Sequence, residues 1–94
     1  MHYYKLEGSN LKDRLGKIIG RIDGMYIMDG RNKKVGSFDN KCIRYSNGKK
    51  IAEFDGANIK DGHGKRIGTI YDVKKIINGD GEISLVALWC LLLR

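Results

Sequence analysis

The chain has 94 residues, of which 41% are hydrophobic, 13 are Gly and none is Pro, and its Lys and Arg outnumber Asp and Glu by 18 to 11. This length predicts one small domain, and many glycines without proline indicate tight turns between ordered segments, which excludes a long disordered tail. The net charge of +7 favours an acidic partner such as nucleic acid or anionic lipid, and it equally keeps a small protein soluble.

The two cysteines and the first residues bear on the compartment. Cys42 and Cys90 lie far apart, in apolar surroundings, without the spacing of a disulfide framework or a zinc site. The opening MHYYKLEG has no apolar stretch after a basic start, so no signal peptide is expected. A reduced, cytoplasmic protein is the simplest interpretation.

From the first residues to residue 80 the sequence repeats about every 16 residues, in five copies of which the first is degraded. Three repeat positions carry the pattern: an apolar position, a small position and a second apolar position. They are occupied by Leu6, Ile22, Phe38, Phe54 and Ile70, by Gly20, Gly36, Ala52 and Gly68, and by Leu11, Ile27, Ile43 and Ile59.

Each copy contains two turn signals. Asp23-Gly24, Asp39-Asn40 and Asp55-Gly56 are dipeptides that tolerate positive φ, as a two-residue hairpin turn requires. The second signal is a longer Gly/Asn loop, DGRNK, YSNGK or DGHGK, between one copy and the next. The intervening segments of about five residues favour short strands. The prediction is an all-β meander of five hairpins.

The turn dipeptides also predict the register. With Asp23-Gly24 as the turn, Ile22 faces Met25 and Gly20 faces Ile27 on the core face of the hairpin. Ile19 and its equivalents then fall on the opposite face. The small residue at the position of Gly20 is explained by a collision with the Ile across the strand or by a backbone bulge. The fifth hairpin, IYDVKKII, departs from the pattern by one extra residue.

A single hairpin does not bury its apolar face, whereas five hairpins in a ring or a strongly curved sheet can bury theirs against a common centre. The pattern D-G-x-G-K-x-I-G-x-I-D-G, seen best in DGHGKRIGTIYD and SNGKKIAEFDG, resembles the small bacterial β-flower proteins, whose hairpins radiate around an axis. The resemblance covers residues 1–80 and implies a fold and no active site. KRIGTIYDV alone also looks like the opening of a PRC-barrel domain, but five copies of the unit argue against that.

The tail GEISLVALWCLLLR has nine consecutive apolar residues, too few for the roughly 20 of a membrane span. Its composition, after Asp80 as N-cap, favours a short helix that is apolar on all sides and covers the centre of the sheet. A strand, an oligomer contact or a peripheral membrane contact are the alternatives. Residues 1–80 are therefore the repeat domain, and residues 81–94 an apolar segment packed on it.

The residues that bear chemistry point away from catalysis. His2 and His63 have no nucleophile or carboxylate at a recognisable spacing, and the recurring aspartates stand where Asx side chains brace turns. The loops lack the alternating carboxylates of a calcium site, and Gly62-His63-Gly64-Lys65 is no phosphate-binding P-loop. We expect no enzyme, no metal and no cofactor.

The charges divide between two rims if the chain is a meander. The long loops form one edge of the sheet, the loop rim, comprising residues 12–17, 28–34, 44–50 and 60–66, and each loop has an excess of two or three positive charges. The short turns form the other edge, the turn rim, which is net negative. The candidate polyanion-binding residues are on the loop rim: Lys17, Lys33, Lys34, Lys49, Lys50, Lys65 and Arg66.

Three functions fit this charge pattern. The first is a non-catalytic structural or protein-interaction module, with an unknown protein or a second copy as partner. The alternative is binding of nucleic acid or another polyanion through the loop rim. The aromatic residues available to stack on bases are few: Tyr45, with Tyr71 as a weaker candidate. In the third, the loop rim binds nothing and is a solvated surface whose charges keep sheet edges from associating.

Overall fold

The computed structural model describes residues 3–93, which form ten strands and two short helices, the second continued by a π-helical turn. The strands are β1 (Tyr4–Glu7), β2 (Asn10–Lys12), β3 (Ile18–Asp23), β4 (Tyr26–Asp29), β5 (Lys34–Phe38), β6 (Cys42–Tyr45), β7 (Lys50–Phe54), β8 (Asn58–Asp61), β9 (Arg66–Thr69) and β10 (Ile77–Asn78). The helices are α1 (Ile70–Ile76) and α2 (Glu82–Leu88), and the π-helical turn is Trp89–Leu93. The predicted all-β hairpin sheet with a short C-terminal helix is confirmed.

The strands form one sheet in the order β10-β1-β2-β3-β4-β5-β6-β7-β8-β9. All neighbours are antiparallel except β1 and β10, which are parallel. Helix α1 leaves β9 at one end of the sheet and delivers the chain to β10 at the other end. Seven helical residues span only about 10 Å. The sheet is therefore curved until its two ends nearly meet, but it is not a closed barrel.

The predicted turns are one residue too early, so the cross-strand partner of each residue differs from the prediction by two positions. Ile22 pairs with Ile27, and the two turn residues are Gly24 and Met25. In the third hairpin the Asp39 N–H donates to the Cys42 carbonyl, so the turn residues are again one position later than predicted. The reason lies in the aspartate. The Oδ1 of Asp39 accepts the N–H groups of Lys41 and Cys42, so Asp precedes the turn and holds it from outside.

The small residues do face large ones, but across neighbouring hairpins instead of within one. The paired residues are Leu11 and Gly20, Ile27 and Gly36, Ile43 and Ala52, and Ile59 and Gly68. The register shifts directly beside each pair, which confirms the predicted alternative of a bulge. The bulged residue is Ile19 or its equivalent, and it packs half-buried against the core. The expectation that Ile19 lies on the opposite face is therefore wrong.

The fifth copy of the repeat does not form a hairpin. Its first strand is β9, but α1 follows where a turn was expected. In the second to fourth copies this place holds Asp-Gly or Asp-Asn, whereas the fifth copy has Tyr71-Asp72, so the Gly or Asn that begins the turn is missing. Instead, the Asp72 N–H donates to Thr69 Oγ1 at 3.3 Å and the Thr69 N–H donates to Asp72 Oδ2 at 2.9 Å. This capping box starts a helix.

The C-terminal segment lies over the centre of the sheet. Leu85, Val86, Ala87 and Leu88 are fully buried, as predicted for a helix that is apolar on all sides. The side chain of Leu92 lies over Gly20, that of Leu91 over Gly36 and that of Trp89 over Gly68. The predicted N-cap, Asp80, is wrong. Helix α2 is capped by Gly81 at φ 88°, without a side-chain hydrogen bond, because only glycine adopts this conformation without strain.

Candidate functional site

The four loops of the loop rim share one construction. In the second loop the Asp29 N–H donates to the Lys33 carbonyl, and Asp29 Oδ1 accepts the N–H groups of Arg31 at 2.8 Å and Lys33 at 3.0 Å. The first and fourth loops repeat these bonds from Asp13 and Asp61. The fourth residue of the loop takes positive φ, and Asn32 replaces Gly there at φ 63°. These loops therefore hold identical shapes along one edge.

The aspartates of these loops brace turns, as predicted. The backbone N–H groups of Lys33 and Arg31 lower the pKa of Asp29, and those of Lys65 and His63 lower the pKa of Asp61. Both carboxylates are ionised and already bonded to the backbone. They have a structural use that explains their recurrence.

All seven candidate residues are exposed and stand in or beside the four loops. Two of them have partners: the Lys34 Nζ lies 4.5 Å from the centroid of the Tyr26 ring, and the Lys50 Nζ donates to Glu53 Oε2 at 2.7 Å. Within residues 3–93 the structure shows no ion pair for the other five, which are Lys17, Lys33, Lys49, Lys65 and Arg66. Topology thus places these unneutralised cations on the same edge.

A cleft of about 240 Å³ opens between the third and fourth loops. Tyr45, Lys49 and Lys50 line it from the third loop and Asp61 and His63 from the fourth, and Cys90 reaches it from the π-helical turn. From the sequence, His63 was interpreted only as a loop residue, and the structure places it in the same cleft as Lys49 and Lys50. Cys90 belongs to the apolar tail, and no sequence signal connects it with the loops. Tyr71 lies on α1, outside the loops.

Two glutamates of the turn rim are paired with neighbouring lysines. Glu53 pairs with Lys50 at 2.7 Å and with Lys41 at 2.9 Å, and hydrogen bonds from these two lysines lower the pKa of Glu53 to about 2. Glu7 pairs with Lys12 at 3.1 Å and with Lys5 at 3.4 Å, and Lys12 is the main cause of its lowered pKa. Among residues 3–93, the structure shows no ion pair for the turn-rim aspartates Asp23, Asp39 and Asp55, so this rim keeps negative charge.

A larger groove of about 540 Å³ lies at the turn rim, between the second and third hairpins. Met25 and Tyr26, which are 52% and 48% exposed, form its apolar side with Phe38. Asp23 and Arg44 are among its polar residues. Exposed Met and Tyr in a concave surface are typical of a contact site for another molecule.

The part of the chain that the structure describes contains no group of three or more His, Cys, Asp or Glu side chains placed to hold a metal ion. Nor does any helix among residues 3–93 combine the length and apolarity required to span a membrane. His2 lies outside the described residues. No protein-family model, no curated protein and no solved structure matches the chain.

Proposed function

We propose that the chain is a non-catalytic interaction module whose loop rim binds a polyanion, with nucleic acid as the principal ligand. One observation carries the proposal: four loops of the same shape recur along one edge, and each adds an exposed cation that forms no ion pair within residues 3–93. Adjacent loops are two strands apart, or about 10 Å. A row of positive charge at this spacing suits an extended, repeating chain of negative charge better than a small anion.

The energetic basis of this binding is the release of counterions from the nucleic acid. Each lysine or arginine that neutralises a phosphate of a single strand contributes about −0.7 to the slope of log affinity against log salt. Five unneutralised cations give a slope of about −3.5 if all of them contact phosphates. Affinity should therefore be measurable at low salt and fall steeply as salt is added.

The test is fluorescence anisotropy of labelled single- and double-stranded oligonucleotides, titrated across salt. In the variant with Lys49→Gln and Lys50→Gln we expect weaker binding and a slope reduced by about 0.7, because only Lys49 of this pair is among the five cations without an ion pair. The same holds for Lys33→Gln with Lys34→Gln. The matched control is Lys74→Gln with Lys75→Gln, which removes two exposed lysines from α1, away from the loops. Failure to bind at low salt, or an equal loss in the control, would refute the proposal.

A second candidate function is self-association, favoured by the groove at the turn rim. Its apolar residues Met25 and Tyr26 are exposed, and Asp23 provides a carboxylate for the cations of the loop rim of a second copy. Light scattering without ligand separates this function from the first. Association that weakens with salt and is lost in Met25→Ser supports it, and a monomer at every salt concentration excludes it.

The compartment follows from the cysteines in this proposal. Within residues 3–93, Cys42 and Cys90 form no disulfide, and both are half-buried. Cysteines kept as thiols support a reducing compartment, and we assign the protein to the cytoplasm on this basis. The fold that supports the binding rim, hairpins radiating around a covered centre, is in keeping with a β-flower protein.

A further inference from the structure

The third loop differs from the others at the residue that braces them. Position 45 aligns with Asp13, Asp29 and Asp61, but it is Tyr. The loop still closes, because the Tyr45 N–H donates to the Lys49 carbonyl at 2.8 Å and Asn47 Oδ1 accepts the Lys49 N–H at 2.9 Å. Asn47 makes one of the two backbone bonds that an aspartate makes in the other loops. The hydrogen bonds that close this loop therefore do not involve the tyrosine side chain.

Tyr45 stands instead at the mouth of the cleft between the third and fourth loops, with 48% of its surface exposed. The same substitution removes a carboxylate from the cleft and leaves Lys49 without an ion pair among residues 3–93. Asp61, across the cleft, has its Oδ1 occupied by the N–H groups of His63 and Lys65. An aromatic face and an unneutralised ammonium group thus lie side by side, with the imidazole of His63 as a further hydrogen-bonding group.

We infer that this cleft holds one nucleotide of a single-stranded nucleic acid, with its base stacked on Tyr45 and its phosphate on Lys49. Stacking on an aromatic ring needs an exposed base face, which a double helix hides and a single strand offers. Stacking does not depend on base identity, so the cleft selects strandedness and not sequence. The other loops supply backbone contacts on either side. This inference rests on the proposed function and specifies its ligand.

The experiment compares an oligothymidylate with an abasic oligonucleotide of the same length and charge, at constant low salt. For the natural chain we expect about tenfold tighter binding of the oligothymidylate, the effect of one stacked base. Tyr45→Leu should abolish this preference and leave affinity for the abasic strand unchanged, whereas Tyr45→Phe should keep it. Tyr71→Leu, which changes an exposed tyrosine on α1, is the matched control and should also keep it.

The outcomes separate the cleft from the rim. Equal affinity for the two strands in the natural chain would overturn the stacking site while the loop rim remains a polyanion surface. A preference that survives Tyr45→Leu would place the base elsewhere and equally overturn it. Binding of neither strand would overturn both the proposed function and this inference.

Discussion

The repeated small residue under the C-terminal segment allows a quantitative comparison between equivalent positions. An added Cβ at Gly36 would lie 2.7 Å from Leu91 Cδ1 and would collide with the backbone carbonyl oxygen of Arg44. At Gly68 the nearest atom is Trp89 Cη2 at 3.1 Å, the edge of a ring that can move by a few tenths of an ångström. The same methyl group therefore meets rigid backbone in one copy and a side chain in another.

We expect Gly36→Ala to destabilise the protein by about 3 kcal/mol, the upper end of the cost of overpacking. Gly68→Ala should change stability by less than about 1 kcal/mol, since the lower entropy of the unfolded chain offsets the small displacement of Trp89. In the fourth copy the small position is already occupied by alanine, so the reverse change, from alanine to glycine, can be made there. Ala52 is 1% exposed, and Ala52→Gly should cost about 1.5 kcal/mol through the lost methyl burial and the freer unfolded chain.

Urea unfolding followed by far-ultraviolet circular dichroism measures all three variants, and it avoids the fluorescence of Trp89, which the change at Gly68 perturbs. The expected order of stability is Gly68→Ala, then Ala52→Gly, then Gly36→Ala. A Gly36→Ala protein as stable as the natural chain would refute the reasoning. So would a Gly68→Ala protein that is the least stable of the three.

Two further predictions concern polar contacts. The pKa of Glu53 is lowered from 4.5 to about 2 in the folded protein, so its ionised form stabilises the fold above pH 4.5, and this contribution is lost as the pH falls towards 2. The difference in urea midpoint between the natural chain and Glu53→Gln should therefore shrink over that interval, and a constant difference would contradict the assignment. Thr69→Ala removes the capping box of α1 and should lower the free energy of unfolding by about 1 kcal/mol in the same assay. Thr69→Ser keeps the hydroxyl group and should lower it by less. Equal losses of stability in the two variants would show that the hydroxyl group is not the cause.

The features that could be predicted from the sequence are those set within one repeat. Turn dipeptides and short apolar segments fix the hairpins and their order. The uninterrupted apolar run around Leu85–Leu88 fixes a buried helix. The loop rim then follows from topology alone, because alternate connections of a meander share an edge.

The features that were not predicted depend on contacts beyond the repeat or on competing local bonds. The turns shifted by one residue because a side-chain oxygen of Asp39 holds its turn from outside. The fifth hairpin became α1 because Thr69 and Asp72 form a capping box where the turn residue is missing. Position 36 needs a small residue partly because the side chain of Leu91 lies over it, and Leu91 is 55 positions away in the sequence. The cleft is different, because it could have been noticed in the sequence: Tyr45 stands where the other copies have aspartate.

The C-terminal segment crosses the sheet so that its successive residues contact successive repeats. Trp89 lies over Gly68, Cys90 lines the same cleft as Ala52, Leu91 lies over Gly36 and Leu92 over Gly20, so consecutive residues meet consecutive repeats in reverse order. An α-helix turns about 100° per residue and a π-helix somewhat less, so successive side chains of the tail point in different directions. Each of these directions leads to a different hairpin. One residue inserted before Trp89 would move every side chain onto the next hairpin, and the indole would then stand over Ala52, where there is already a methyl group.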